Sequence, residues 1–343
     1  MKAFVVKEFA HHSQIPLTHD FPEPKPKPSS DEVLVEVHSA GLNFFDILQT
    51  QGKYQNKPPF PFVLGSEFAG RISTSQILPP GCPFKPGQRV FGSGQGALGE
   101  EVATSWKHLL PLPDALSYDQ GAGLFVTWPT SYEGLVGRAK LKPGEWVLVT
   151  AAAGGVGIAA VQLAKALGAR VIAASSPSKL SIATKYGGAD FSIDYTKPGW
   201  QQEVLKITDG KGVDVIYDPV GMIKDSLKCI AWGGRALVIG FAGGAIEKVP
   251  MNLVLLKNIS LVGLHWGMYF QKDPKHATEV WKALLDMLAS KRVTPVVYSQ
   301  TYTLDTVAQG LDDLEKRKTW GKAIVRVRDP EQAKREEKAR GKL

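Results

Sequence analysis

The sequence predicts an α/β protein of two lobes, a β-rich lobe first and a doubly wound parallel-sheet lobe second. Three observations lead there. The 343 residues exceed one ordinary domain of about 150 residues. Up to about residue 125 the chain reads as short alternating segments punctuated by turn residues. From about residue 140, strand segments that are apolar on both faces alternate with helical segments, the pattern of parallel βαβ units.

In the first lobe the predicted strands are KAFVV, VLVEVHSAG, PFVLGSEFAGRIS and GQRVFGS. Alternation in VLVEVHSA puts Val33, Val35 and Val37 on one face of a half-buried strand. The run FPEPKPKPSSDE cannot hold a ladder, because proline has no N–H to give, so it reads as an extended surface connection. FVTWPTSYEGL begins the helix that links the lobes. The second lobe then runs EWVLVTAA as a strand, GIAAVQLAKALG as a helix, ARVIAASS as a strand and PSKLSIATKYG as a helix. ADFSIDY and VDVIYDPVG are strands, DSLKCIAWGG a helix, and GRALVIGFAG and NISLVGLHWG two further strands. After about residue 268 comes a helix, HATEVWKALLDMLAS, and a closing strand pair, VVYSQTYTL and GKAIVRVR, which is expected to rejoin the first lobe.

Composition narrows the function. Apolar residues make up 43%, charged residues 22%, with 35 Gly and 23 Pro, a loop-rich folded chain. No stretch reaches the roughly 20 apolar residues of a membrane span, and MKAFVVKEFAHH lacks the apolar centre of a signal peptide. A cytoplasmic location is the expectation. The final Gly-Lys-Leu resembles the peroxisomal Ser-Lys-Leu address, with Gly in the place of Ser. Cys82 and Cys229 are too few for a disulfide framework or a structural zinc site. The net charge of +8 suits an anionic ligand, but without arginines and lysines interleaved with aromatics it disfavours nucleic acid as a partner.

The strongest local signal is Ala151-Ala152-Ala153-Gly154-Gly155-Val156-Gly157, directly after the strand EWVLVT and opening the helix GIAAVQLAKALG. Glycines there let backbone approach a pyrophosphate, and the free N–H groups and dipole of a helix N-terminus attract its charge. A dinucleotide is the expected ligand. Its type is read about 20 residues on, where an acid would bond the ribose 2′-OH of NAD. The strand ARVIAA ends instead in Ser175-Ser176, with Lys179 a turn later; hydroxyls and an ammonium accommodate a 2′-phosphate, which favours NADPH.

AGLNFFD at 40–46, the Gly-Lys-Tyr turn at 52–54, GSEFAG at 65–70, KPGEWVLVTAAAGGVGIAAVQLAKALGA, SIDY and VDVIYDPVG together resemble the zinc-independent quinone oxidoreductases, the zeta-crystallin-like family of the medium-chain dehydrogenase/reductase superfamily. The likeness runs from residue 3 to about 328. It implies a GroES-like catalytic domain at 1–125, completed by 269–343, and a Rossmann NADPH-binding domain at 126–268. It implies hydride transfer from NADPH to a quinone or α,β-unsaturated carbonyl, and a homodimer whose sheet continues through the edge strand NISLVGLHWG. Superfamily members that use zinc carry a Cys near Asn43 and Gly-His-Glu at the place of Gly65-Ser66-Glu67; Glu67 alone cannot hold a catalytic zinc, so no metal is expected.

Carried over by position, Asn43 would hydrogen-bond at the nicotinamide end and Asp46 would steady its loop. Gly154, Gly155 and Val156 would meet the pyrophosphate, and Ser175, Lys179 and Tyr195 the 2′-phosphate. Gly221 would close over the adenine side, while Phe241, Gly244, Leu264 and Trp266 would line the nicotinamide, with Thr127 at its amide. Lys322 would reach the cofactor from the returning segment. Tyr54 is the candidate acid or oxyanion donor, and the usual Arg before its turn is replaced by Leu48-Gln49-Thr50-Gln51. A 2-enoyl thioester reductase is the runner-up, since N-x-x-D…Q-G-x-Y at 43–54 is similar to that family too; an NADPH-binding crystallin-like or RNA-binding protein with little turnover is the reading from another class. His11-His12, in a predicted loop with nothing at metal-ligand spacing, are not expected to bind a metal. His108 and His265 are expected to be structural, His265 the more interesting because it lies beside the predicted nicotinamide strand, where a cleft wall could tune its pKa.

Overall fold

The computed structural model describes residues 1–27 and 30–329. The charged C-terminal tail and its Gly-Lys-Leu therefore lie outside the described residues. The chain forms two compact units, Met1–Phe125 with Val297–Leu343, and Val126–Val296.

The first unit is mostly antiparallel. Its strands are β1 (Ala3–Val6), β2 (Leu17–Thr18), β3 (Glu32–Gly41), β4 (Phe62–Val63), β5 (Glu67–Ile72), β6 (Arg89–Ser93), β7 (Glu101–Ser105) and β8 (Leu109–Pro111). β1 sits between β2 and β4 in a small sheet. β3 organises the larger one: it pairs antiparallel with β5, with β7 and with the returning strand Ile324–Arg326, which in turn carries Tyr302–Thr303 alongside in parallel. The half-buried strand expected for VLVEVHSA is corrected here. Val33, Val35 and Val37 do enter the core, with Phe4, Leu64, Phe68, Ile72 and Val325. Leu34, Glu36 and His38 are buried as well. On the second face Tyr118, opening the short helix Tyr118–Gly121, stacks on His38 at 4.1 Å, and Ser39 Oγ donates to Asp119 at 2.7 Å. VVYSQTYTL supplies only two strand residues.

The second unit carries β9 (Trp146–Val149), β10 (Arg170–Ser175), β11 (Phe191–Asp194), β12 (Val213–Asp218), β13 (Ile230–Val238) and β14 (Ser260–Gly263), all parallel, in the order β11-β10-β9-β12-β13-β14. This is the doubly wound order in which two βαβαβ halves diverge from the first strand. Val147, Leu148, Ile172, Ile216 and Leu237 are fully buried, as central parallel strands require. DSLKCIAWGG is not one helix: a turn over Ile223–Cys229 gives way at Ile230 to β13, because Ile230 pairs with Val213.

The boundary expected at 268/269 is also corrected. Helix Pro274–Ala289 belongs to the second unit, and polar bonds explain why. Buried Glu133 accepts from Tyr269 Oη at 2.9 Å and lies 2.8 Å from His276 Nε2. Gln162 is bonded twice to the backbone of Thr294, at 2.9 and 2.7 Å, and Arg292 donates to Ala166 O at 2.7 Å. Among the described residues no helix is long and apolar enough to cross a membrane.

Candidate active site

In the first unit, β3 ends at Gly41 and helix Phe44–Thr50 starts from Asn43 as its N-cap. The Asn43 backbone N–H donates to Asp46 Oδ2 at 2.7 Å, a carboxylate at the third helical position folding back on the cap. Asn43 Nδ2 donates to Glu67 Oε1 at 2.9 Å and to Gly41 O at 3.3 Å. Lys322 Nζ donates to Asn43 Oδ1 at 2.7 Å and lies 2.5 Å from Glu67 Oε1. None of the four side chains is more than 7% exposed. Gly41 makes room for the ammonium: a Cβ there would stand 2.4 Å from Ala122 O and 2.8 Å from Lys322 Cε.

Burial pushes the Asp46 carboxyl up to about 7, against the pull of the Asn43 N–H and the Lys322 ammonium. Its Oδ1 has no hydrogen-bond partner. Tyr54 stacks on Phe45 at 5.2 Å, and burial with the nearby Asp46 charge raises its phenol, so the hydroxyl keeps its proton at neutral pH.

The Lys322 ammonium is tied to Glu67 and Asn43, and both Asn43 amide N–H groups are engaged, leaving acceptor capacity on Oδ1. Glu67 is the counter-ion of the cluster. The Asn43–Lys322 partnership spans 279 residues, and no local spacing announces it.

In the second unit every predicted cofactor residue except Thr127 lies at or just beyond the C-terminal end of a parallel strand, where doubly wound sheets bind ligands. After β9, Ala151 takes a left-handed φ of 45°, and Gly154 N-caps helix Gly155–Ala166. Gly157 packs so closely that a Cβ would stand 2.3 Å from Ala151 O and 2.8 Å from Ala152 Cα. The first-turn N–H groups of Gly155 and Val156 have no acceptor within the helix. Ser131 Oγ steadies the turn, bonded to Val156 O at 3.0 Å, to Tyr217 Oη at 3.0 Å and to Thr127 O at 2.8 Å, while Thr127 itself is buried.

Ser175 closes β10 opposite Asp194 of β11, so Ser175 and Tyr195 are neighbours across the sheet, with Lys179 in the turn Pro177–Lys179 that follows β10. The Ser175 hydroxyl is buried without a partner. Asp194 accepts from Thr196 N and Oγ1 at 3.0 and 2.6 Å, bonds that hold its carboxyl below the usual range. After β12, Asp218 accepts from the N–H groups of Val220, Gly221 and Met222 at 3.2, 3.0 and 2.6 Å and from Thr150 Oγ1. It thereby fixes the Gly221 turn against the end of β9; the Asp-Pro-Val-Gly sequence is the signal that could have identified it. Phe241 is partly exposed beside Gly221, and Gly244 follows with φ 90°. Leu264 N donates to Val238 O at 3.2 Å, and Trp266 turns inward to stack on Tyr269 at 5.1 Å. A cradle that a Cβ would fill, open helix N–H groups and an orphaned buried hydroxyl fit a dinucleotide with an anionic ribose substituent.

Residues 155–290 match the family described as zinc-binding dehydrogenase, and residues 29–114 the alcohol dehydrogenase GroES-like domain. The chain is 40% identical over 304 residues to quinone oxidoreductase-like protein 2 homolog of Nematostella vectensis, covering 87% of this chain and 82% of that protein. It is 30% identical to human quinone oxidoreductase, covering 92% and 94%. The quinone oxidoreductase of Thermus thermophilus, solved alone and with NADPH, superposes with a TM-score of 0.81 at 32% identity over 95% of this chain and 100% of that one. Fold and site thus define an oxidoreductase built from a GroES-like unit and a Rossmann unit. Within that class, the chain belongs to the quinone oxidoreductase-like, zeta-crystallin-like group of the medium-chain dehydrogenase/reductase superfamily.

Proposed function

We propose that the protein is a zinc-free NADPH-dependent reductase of quinones or α,β-unsaturated carbonyls. The observation that carries this reading is the Gly157 cradle at the head of helix Gly155–Ala166, on the first strand of the doubly wound sheet. When bound, NADPH supplies the hydride. Gly155 and Val156 hold the pyrophosphate through backbone N–H groups. Ser175 Oγ and Lys179 Nζ take the 2′-phosphate, with Tyr195 alongside. Gly221, Phe241, Gly244, Leu264, Trp266 and Thr127 shape the rest of the cofactor's seat.

Asn43, Glu67 and Lys322 form a closed cluster without a sulfur or imidazole ligand, and the ammonium already neutralises Glu67. That chemistry supports a site that works without zinc. Asp46 holds the Asn43 loop, and Tyr54 Oη, protonated at neutral pH, is the group able to give a proton or a hydrogen bond to a developing oxyanion. A cytoplasmic homodimer joined through β14 completes the reading. It is supported by the position of β14 at the sheet edge and by the exposed apolar side chains of Trp232, Ile246, Met251, Leu255 and Leu256 in the same unit.

The test is NADPH oxidation with benzoquinone, phenanthrenequinone and crotonyl-CoA in parallel, with NADH and EDTA as controls, and light scattering for the oligomer. Quinone turnover with NADPH that EDTA leaves unchanged is expected. Turnover of crotonyl-CoA alone would transfer the protein to the thioester reductases, and binding without turnover would refute an enzymatic role. Lys179→Ala should weaken NADPH binding roughly tenfold, the equivalent of about 1.4 kcal/mol, and leave NADH binding nearly unchanged.

A further inference from the structure

His11 and His12 lie at the start of the turn His12–Gln14, and Glu315 is the last residue of helix Val307–Glu315. All three are in the first unit and take no part in the Asn43–Glu67–Lys322 cluster. One ligand atom from each lies within 4.8 Å of the other two. His11 Nε2 is 3.1 Å from Glu315 Oε2, and its Nδ1 is 2.7 Å from Ser13 Oγ, which orients the ring. The His11 and His12 rings are 4.0 Å apart.

His12 supplies the independent observation. It is fully buried, and neither ring nitrogen has a hydrogen-bond partner. A buried polar group without a partner is costly, and a native structure that retains one generally has a use for it. A packing role alone would be served better by an apolar ring. Glu315 itself stands at the carbonyl end of its helix, where a cation is favoured, while Asp312 one turn earlier is already paired with Lys316 at 2.8 Å.

We propose that His11, His12 and Glu315 form a binding site for a divalent transition-metal ion of the zinc class. Two imidazoles and one carboxylate suit zinc, cobalt or copper over the oxygen-seeking calcium and magnesium. A tetrahedral ion with bonds of about 2.0–2.1 Å separates its ligand atoms by about 3.3 Å, close to the His11–Glu315 spacing of 3.1 Å, with the His12 nitrogen within 4.8 Å of both. Three protein ligands leave a fourth position to water. The ion would clamp the turn at His12 to a helix 304 residues further along the chain, the separation between His11 and Glu315. Adjacent histidines alone do not reveal such a site.

The experiment uses the full-length protein without a purification tag, stripped with EDTA and desalted. It is titrated with Zn²⁺ by calorimetry and with Co²⁺ by visible absorption. One equivalent bound, ligand-field bands of a low-coordinate cobalt site and a rise in Tm with Zn²⁺ are expected. His11→Ala and Glu315→Gln, at partly exposed positions where folding is not at stake, should weaken Zn²⁺ binding roughly tenfold or more. His12→Asn should do the same if circular dichroism shows it folded, and His19→Ala, at an exposed histidine elsewhere, should change nothing. Absence of stoichiometric binding, or binding that survives both His11→Ala and Glu315→Gln, would overturn the proposal.

Discussion

At the scale of single residues, Gly157 and Asp46 are the most exacting. Gly157→Ala places a methyl group against Ala151 O and Ala152 Cα, backbone atoms that cannot rotate away. The turn must open, and we expect dinucleotide binding, followed by cofactor fluorescence, to fall by at least about a hundredfold while the protein still folds. Asp46 leads to a pH dependence. Its folded-state pKa is raised to about 7, so the folded protein holds a proton that the unfolded chain releases near 4. The stabilisation this provides is complete below the unfolded value and is lost as pH climbs toward 7, at a slope on the order of 1 kcal/mol per pH unit. Asp46→Asn retains an acceptor for the Asn43 N–H and cannot titrate. Urea denaturation at pH 5, 6 and 7.5 should therefore show wild type losing stability relative to the variant; parallel curves would refute the buried proton. The glycine turn was legible in the sequence because its chemistry is contiguous, and so were Ser175 and Lys179. The closed cluster was not, because the partner of Asn43 and Glu67 comes from the far end of the chain.

At the scale of elements, the parallel strands could be read from their apolar runs and the βα turns from their glycines. Where the reading failed, tertiary pairing overrode local pattern. Ile230 begins a strand because Val213 pairs with it, although Asp-Ser-Leu-Lys-Cys-Ile reads as helix. β3 is buried from Val33 to Gly41, and near its end the helix at Tyr118 covers His38 and Ser39 on the face that alternation left to water. Helix Pro274–Ala289 stands in the second unit although it follows the expected boundary, because its anchor, Glu133, lies far upstream. Glu133, through its hydrogen bond and charge, raises the His276 imidazole above its ordinary value. The protonated pair stabilises most below about pH 6.5, and its contribution is lost as pH rises through the raised value. Because His276 is partly solvated, the effect should stay under about 1 kcal/mol. Hydrogen exchange in helix 274–289 should quicken from pH 6 to 8 in excess of the intrinsic rate, and His276→Gln should abolish the excess.

At the scale of the whole molecule, two units were expected, and two are present, with the return to the first unit later than expected. The first unit is discontinuous in sequence: Ile324–Arg326 pairs with β3, and Lys322 neutralises Glu67 from the far side of a complete second unit. A fragment comprising 126–296 contains its entire sheet and should fold alone, with a cooperative thermal transition. A fragment comprising 1–125 retains a buried Glu67 without its ammonium and a β3 edge without its partner, and should not. A cooperatively folded 1–125 would contradict this account. The same discontinuity sets an order of events on the ribosome. The second unit can close as soon as its last strand and helix emerge, but the first, although synthesised earlier, must wait with Glu67 uncompensated until residue 322 clears the exit tunnel, and through that interval it is the part of the nascent chain most in need of a chaperone.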